Sequence, residues 1–151
     1  MRRRAPYRLD HVHVLVSDRE LAAAWYELHL GLERRECSED PYGPLVLSGD
    51  SGGTAIALFT SKVKPDPSRV VAFSVSAEEF LAFAVDLEVH VLNGPDGERL
   101  EAEKVTDHGD VLSYYFCDPD GNTFEVLTRE LEAARLGLRG LSIRAQRSAG
   151  C

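Results

Sequence analysis

Residues 114–128 read Tyr-Tyr-Phe-Cys-Asp-Pro-Asp-Gly-Asn-Thr-Phe-Glu-Val-Leu-Thr and carry the clearest structural signal in the chain. Aromatic and β-branched residues on both sides of the Asp-Pro-Asp-Gly at 118–121 predict two strands joined by a tight turn. Because side chains alternate across a strand, Glu125 shares a face with Thr123 and Leu127. A carboxylate in such a strand faces either solvent or a polar site, since its burial must be offset by a metal ion, a cationic ligand or hydrogen-bond donors.

The overall composition is that of a globular protein. Of the 151 residues, 44% are hydrophobic and 28% are charged, which suits a single domain over residues 1–151 with a substantial core. No apolar run approaches the length of a membrane span, and none follows the basic residues 2–4, so we expect a cytoplasmic protein with no membrane partner. The net charge is -8 and the basic residues concentrate at the chain ends, which argues against a nucleic-acid partner.

Residues 9–60 predict a strand, a helix and then three strands. The first strand, 9–16, alternates apolar residues and leads into Ser17-Asp18, a helix N-cap. Helix 19–30 ends at Gly31, and short strands follow at 32–37, 44–47 and 54–60. The apolar positions with helical spacing in the helix are Leu21, Ala24, Trp25 and Leu28.

The same order of elements recurs in residues 69–128. Residues 61–68 contain Pro65 and Pro67 and are predicted to be a linker. Beyond it we predict a strand at 69–75, a helix from Ser76 to about residue 88, and strands near 99–105, 111–117 and 122–128. Residues 129–151 are predicted to form a C-terminal helix, at 131–140, and a tail.

Fixed shifts expose an internal repeat. A shift of 59 residues places His11 on Val70, and a shift of 68 residues places Ala57 on Glu125, with apolar and polar positions largely in step. The prediction is therefore an α+β protein of two tandem βαβββ modules, whose curved mixed sheets surround a cup-shaped cleft. A cleft of this kind is where a small-molecule site is expected.

Several short segments together resemble the vicinal oxygen chelate superfamily, which includes glyoxalase I, fosfomycin-resistance proteins, bleomycin-resistance proteins and extradiol dioxygenases. The resemblance covers roughly residues 9 to 128. It implies a divalent metal, Fe, Mn, Ni or Zn, held in the cup by the first and last strands of each module, and a homodimer. The segments are Leu9 to Asp18, Trp25-Tyr26, Leu30-Gly31-Leu32, and Asp118 to Asn122 with Glu125.

The metal positions implied by this resemblance are only half occupied by donors. His11 and Glu125 retain ligand side chains, whereas Ala57 and Val70 have no lone pair to offer. Because a catalytic divalent site usually has three protein ligands, we expect an incomplete metal site that binds metal weakly or not at all. Ala57 and Val70 would then line an apolar part of a ligand-binding cleft.

His13 is a candidate substitute ligand. It lies two residues from His11 on the same strand face, about 6–7 Å along the strand. It either takes part in metal binding or lines the ligand pocket.

The segment Asp107-His108-Gly109 resembles a pattern of extradiol dioxygenases, in which such a turn precedes a strand tyrosine. The resemblance implies that His108 and Tyr115 are an acid–base pair. The alternative is that His108 is a solvated turn residue and Tyr115 a core aromatic.

Two functions of different class follow. In the first, the protein binds a small organic molecule through His11, His13, Trp25, Tyr115 and Glu125, although the helix position of Trp25 also suits the core. In the second, it is a metal-dependent lyase or isomerase, or a ring-cleaving dioxygenase, with a substitute third metal ligand. His108 or Tyr115 would then transfer protons.

Overall fold

The computed structural model describes residues 9–35, 43–49 and 53–148. The chain divides into two compact units, Met1–Pro65 and Asp66–Cys151, called here the first and second units. In each unit the described residues build a four-stranded mixed sheet. This confirms the predicted α+β class and the two tandem modules.

The first unit has the predicted order of one strand, one helix and three strands. Its sheet has the order β1-β4-β3-β2, with β1 parallel to β4 and the other neighbours antiparallel. The prediction placed the second strand at 32–37, of which residues 36 and 37 lie outside the described part of the chain. The elements are β1 (Val12–Val16), α1 (Arg19–Leu30), β2 (Glu33–Arg34), β3 (Leu45–Ser48) and β4 (Ala55–Thr60).

Helix α1 begins and ends where the sequence predicts, but the predicted apolar face is wrong. The Asp18 side chain accepts hydrogen bonds from the first free N–H groups, and Gly31 ends the helix in the left-handed conformation at φ 62°. The buried residues are Ala22, Ala23 and Tyr26, while Leu21 and Leu28 are 72% and 64% exposed. Small alanines let the helix approach the sheet closely, which favours this face over the leucine face.

The second unit repeats the architecture, and its sheet has the order β5-β8-β7-β6. Helix α2 begins with a capping box, in which Ser76 and Glu79 exchange backbone and side-chain hydrogen bonds. The elements are β5 (Val70–Ser74), α2 (Ala77–Asp86), a 3-10 turn (Ala102–Lys104), β6 (Thr106–Asp107), β7 (Leu112–Cys117), β8 (Thr123–Thr128) and α3 (Leu131–Ser148).

Strand pairing shows that the repeat is structural. In the first unit His13 lies beside Ala57, and in the second Ala72 lies beside Glu125. These are the same two positions under the shifts of 59 and 68 residues. The first and last strands of each unit are therefore parallel neighbours in matching register.

Aromatic side chains fill the core of the second unit. The rings of Phe80 and Tyr114 stack at 4.9 Å, and the rings of Phe116 and Phe124 stack at 5.8 Å. Burial, followed by the nearby charge of Glu103, raises the pKa of Tyr114 well above its usual range.

The predicted strand at 99–105 is wrong. Residues 102–104 form a 3-10 turn instead, and the Tyr114 hydroxyl donates to the Ala102 carbonyl oxygen at 2.6 Å. The Ala-Glu-Lys sequence at 102–104 has low strand propensity, and the hydrogen bond from the core tyrosine holds the carbonyl inward. The adjoining strand β6 has only two residues.

Helix α3 is longer than the predicted span of 131–140, because it continues through both of its glycines to Ser148. Neither Gly137 nor Gly140 adopts a positive φ, so neither provides the left-handed cap on which the prediction relied. Gly137 lies against Leu81 of α2. Within the described ranges, no helix has the length and apolar character needed to cross a membrane.

The two glycines of α3 provide a matched test of this packing. Gly140→Ala adds a methyl group in open space, so we expect the free energy of unfolding to rise by about 1 kcal/mol through helix propensity. In Gly137→Ala the new Cβ would lie 2.2 Å from Leu81 Cδ1, so Leu81 must move. We expect this variant to be less stable than Gly140→Ala by about 1–3 kcal/mol in urea denaturation. Equal stability of the two variants would contradict the close contact between α2 and α3.

Candidate functional site

Glu125 lies in the middle of β8, on the sheet face opposite the aromatic core. Its strand neighbours are Tyr115 on β7 and Ala72 on β5. Phe124 and Val126, which alternate with it, are buried on the other face. The alternation that fills the core therefore presents Glu125, half-buried, on the second face of the sheet.

Two hydroxyl groups donate to the same oxygen of Glu125. Ser113 Oγ is 2.5 Å and Tyr115 Oη is 3.1 Å from Glu125 Oε1. Ser113 is the diagonal neighbour on β7, where residues two apart share a face. Hydrogen bonds to an ionised acceptor are stronger than neutral ones, so these contacts fix the orientation of the carboxylate.

His108 extends this group. His108 Nε2 is 3.0 Å from the hydroxyl oxygen of Tyr115. Because Tyr115 gives its proton to Glu125, its oxygen accepts from His108, so Nε2 carries a hydrogen. The structure thus brings the predicted pair His108 and Tyr115 into direct contact with Glu125, in a chain of hydrogen bonds from imidazole to phenol to carboxylate.

The turn that carries His108 is held from α3. Arg135 contacts both carboxylate oxygens of Asp107, at 2.9 to 3.2 Å, and Asp107 also accepts from the Gly109 N–H at 2.8 Å. The Gly109 N–H first, and Arg135 next, lower the pKa of Asp107. Gly109 has φ 92°, a conformation that favours glycine. The turn is therefore fixed on both sides of the imidazole.

Sequence reasoning missed two contributors to this arrangement. Ser113 had a signal, because it shares strand parity with Tyr115, but parity does not assign a hydrogen-bond partner. Arg135 had none, because it lies 28 residues from Asp107 and the contact depends on how α3 packs.

Tyr115 holds its proton more tightly than an ordinary tyrosine. Burial raises its pKa, and the hydrogen bond to Glu125 and the charge of Glu125 raise it further, while the Ser113 hydroxyl acts in the opposite direction. Tyr115 is therefore a neutral hydrogen-bond donor near pH 7.

In the first unit the structure brings His11 and His13 together. His11 Nδ1 is 2.7 Å from Asp10 Oδ2, and the Nε2 atoms of the two histidines are 3.2 Å apart. The hydrogen bond from His11, and then its charge, lower the pKa of Asp10. The ring of His13 also lies 4.5 Å from that of Phe59. Sequence analysis did not identify Asp10 as a partner of His11, although adjacent residues at the start of a strand often interact.

The other predicted site residues have varied surroundings. Ala57 is buried between His13 and Val46, which makes it a small wall residue beside the histidine. Val70 is 44% exposed and pairs with Thr123, so Ala72, and not Val70, lies beside Glu125.

Trp25 is half-buried on α1, where its ring contacts those of Tyr26 and His29 at 5.0 and 4.8 Å. Among the side chains that the structure describes, no group of three or more His, Cys, Asp or Glu is arranged to hold a metal ion.

Two variants test the environment of Tyr115 with opposite signs. Glu125→Gln removes the negative charge that disfavours the tyrosinate, so we expect the pKa of Tyr115 to fall toward its usual value. Ser113→Ala removes a contact that lowers it, so we expect the pKa to rise. The titration is followed by tyrosinate absorbance, and Tyr115→Phe identifies which step belongs to Tyr115. Shifts of the same sign in both variants would contradict this geometry.

Comparisons with known proteins agree with the fold. A family model, described as the Glyoxalase/Bleomycin resistance protein/Dioxygenase superfamily, matches residues 8–126. Similar solved structures include a glyoxalase family protein from Bacillus anthracis, with 24% identity, coverage of 85% of this chain and 99% of that chain, and a TM-score of 0.60. Another is the oxidase ChaP-H2, with 24% identity, coverage of 83% and 95%, and a TM-score of 0.62.

The search of curated proteins gave no significant match. The structural matches, all below 25% identity, show the shared fold, and the family model covers most of the chain. This chain belongs to the glyoxalase/bleomycin resistance protein/dioxygenase superfamily.

Proposed function

We propose that this protein binds a small organic ligand on the Glu125 face of its second unit. The observation that supports the proposal is the arrangement of two hydroxyl donors on one carboxylate oxygen, Glu125 Oε1. In the described part of the chain Oε2 accepts no hydrogen bond, so it is available to a ligand. Tyr115 and His108 add an aromatic ring and an imidazole beside it.

The surroundings of Glu125 favour a ligand with an apolar body. Its neighbour on β5 is Ala72, and Val70 on the same face is partly exposed. A carboxylate accepts but does not donate, so the ligand should carry a hydrogen-bond donor or a cationic group. The superfamily resemblance also assigns ligand contacts to His13, Trp25 and Ala57 of the first unit, and these remain predictions.

The proposed metal site is incomplete. Of the four positions implied by the resemblance, Ala57 and Val70 provide no donor atom. Of the remaining two, His11 has both ring nitrogens in contact with Asp10 and His13, and Glu125 accepts two protons on one oxygen. The residues present therefore do not fit the full set, and we derive no chemical step through a metal.

We also propose that the protein is a homodimer, as the superfamily resemblance implies. Sedimentation velocity measures this directly, and a monomer at all accessible concentrations would contradict it.

Ligand binding is tested with small aromatic probes that carry a donor group, namely tyramine, benzylamine and catechol. We expect at least one probe to bind, and Glu125→Gln to weaken that probe by about tenfold or more, because a hydrogen bond to a charged group is lost. Calorimetry provides the measurement. Glu88→Gln is the control, because it removes the same charge from an exposed position away from the site.

If Glu88→Gln weakened a probe as much as Glu125→Gln, the effect would be one of net charge. If none of the probes bound the wild type, this description of the ligand would be wrong.

Metal titration tests the incomplete site. We expect no binding of manganese, iron(II), nickel or zinc that depends on Glu125 with a dissociation constant below about 1 mM, which corresponds to roughly 4 kcal/mol. The comparison is between wild type and Glu125→Ala by calorimetry. Near-stoichiometric binding that Glu125→Ala abolishes would overturn the proposal.

The hydrogen-bond chain favours one second candidate, a metal-dependent lyase or isomerase, or an extradiol-type dioxygenase with a substitute third ligand. His108, Tyr115 and Glu125 are linked at 3.0 and 3.1 Å, which suits the transfer of a proton between a bound substrate and solvent. Cleavage of catechol by iron(II)-supplemented protein, with loss of activity in His108→Asn and Tyr115→Phe, would establish this candidate in place of the first.

A further inference from the structure

We propose that His11 and His13 form a two-imidazole binding site for Cu(II), Ni(II) or Zn(II), oriented by Asp10 and independent of Glu125. The site lies within the first unit. Water would complete the coordination of the ion, since only two protein ligands take part. It uses one position of the superfamily ligand set and replaces the rest with a local pair.

The separation of the two nitrogens suits a shared ion. Residues two apart on a strand have Cα atoms about 6–7 Å apart, yet the two Nε2 atoms converge to 3.2 Å. Zinc–imidazole distances are about 2.0–2.1 Å, so two nitrogens with this separation subtend an angle of roughly 100° at the ion. That angle lies between the right angle of square or octahedral coordination and the tetrahedral angle, so each of these geometries is accessible with a small rotation of the rings.

Asp10 selects the nitrogen that binds the ion. His11 Nδ1 donates to Asp10 Oδ2 at 2.7 Å, which leaves the lone pair of neutral His11 on Nε2. Metal-ligating histidines typically donate their other N–H to a carboxylate or carbonyl oxygen, which fixes the tautomer and the ring orientation. The first ligand is therefore oriented before any ion arrives.

His13 must change tautomer on binding. In the free protein His13 Nε2–H donates to the lone pair of His11 Nε2. When an ion binds, His13 carries its proton on Nδ1 and presents the Nε2 lone pair, so no net proton is released. Contact with the Phe59 ring restricts how far the imidazole can turn. Both histidines are exposed, so an ion reaches them from solvent.

The donor type determines the class of metal. Neutral imidazoles suit Zn, Cu and Ni, whereas Mn and Mg prefer oxygen ligands. For divalent ions the stability order rises from Mn through Ni to Cu and falls again at Zn. We therefore expect Cu(II) to bind most tightly and Mn(II) to bind most weakly.

The test is calorimetric titration of NiCl2 and ZnCl2 into the full chain and its variants. We expect His11→Ala and His13→Ala each to weaken binding by at least about tenfold, because the second contact is no longer intramolecular. Asp10→Asn should weaken it by about tenfold through lost orientation of His11. Glu125→Gln and the control His108→Asn should leave the affinity within about twofold of wild type, since both residues lie in the second unit.

Heteronuclear NMR of the imidazole rings provides a second measurement that does not depend on the variants folding. On addition of ZnCl2 we expect the Nε2 signals of both His11 and His13 to shift, with His13 changing to the Nδ1–H tautomer.

Equal affinity in wild type and His13→Ala, or Zn-induced shifts confined to one ring, would overturn the two-histidine site. A loss in Glu125→Gln as large as that in His13→Ala would show that the site depends on the second unit, and would also overturn it.

Discussion

Parallel pairing between the first and last strands of each unit is the constraint on which the rest of the structure depends. Parallel neighbours require a crossover connection, and in both units a helix lies within the chain that links them. With one sheet face covered by helix and core, the opposite face carries polar side chains from both ends of the unit. His13 beside Ala57, and Ala72 beside Glu125, are the two results of this one rule.

The two units keep the scaffold but place different chemistry on it. The first unit has imidazoles on its opening strand and a small alanine on its closing strand. The second has a small alanine on its opening strand and a carboxylate on its closing strand. Each polar group therefore has found partners within its own unit, Asp10 and His13 for His11, and Ser113 and Tyr115 for Glu125. These local contacts satisfy groups that a complete metal site would otherwise hold.

Much of the fold was predictable because it rests on local patterns. The strand alternation, the Asp18 and Ser76 caps and the stop at Gly31 are encoded within a few residues, and all are present in the structure. Predictions were wrong where packing overrides local preference. The 99–105 segment became a 3-10 turn beneath Tyr114, α1 buried its alanines instead of its leucines, and α3 continued through two glycines.

The sequence by itself determined the repeat, the superfamily and the strand parity that places Ser113, Tyr115 and Glu125 on one face, because these depend only on spacing along the chain. Tertiary structure alone decided which atoms meet. The 3.2 Å approach of the His11 and His13 nitrogens, the two protons on Glu125 Oε1 and the clasp of Arg135 on Asp107 require side-chain rotamers and packing. Residue spacing does not specify those, because each residue type has several rotamers that satisfy the same strand geometry.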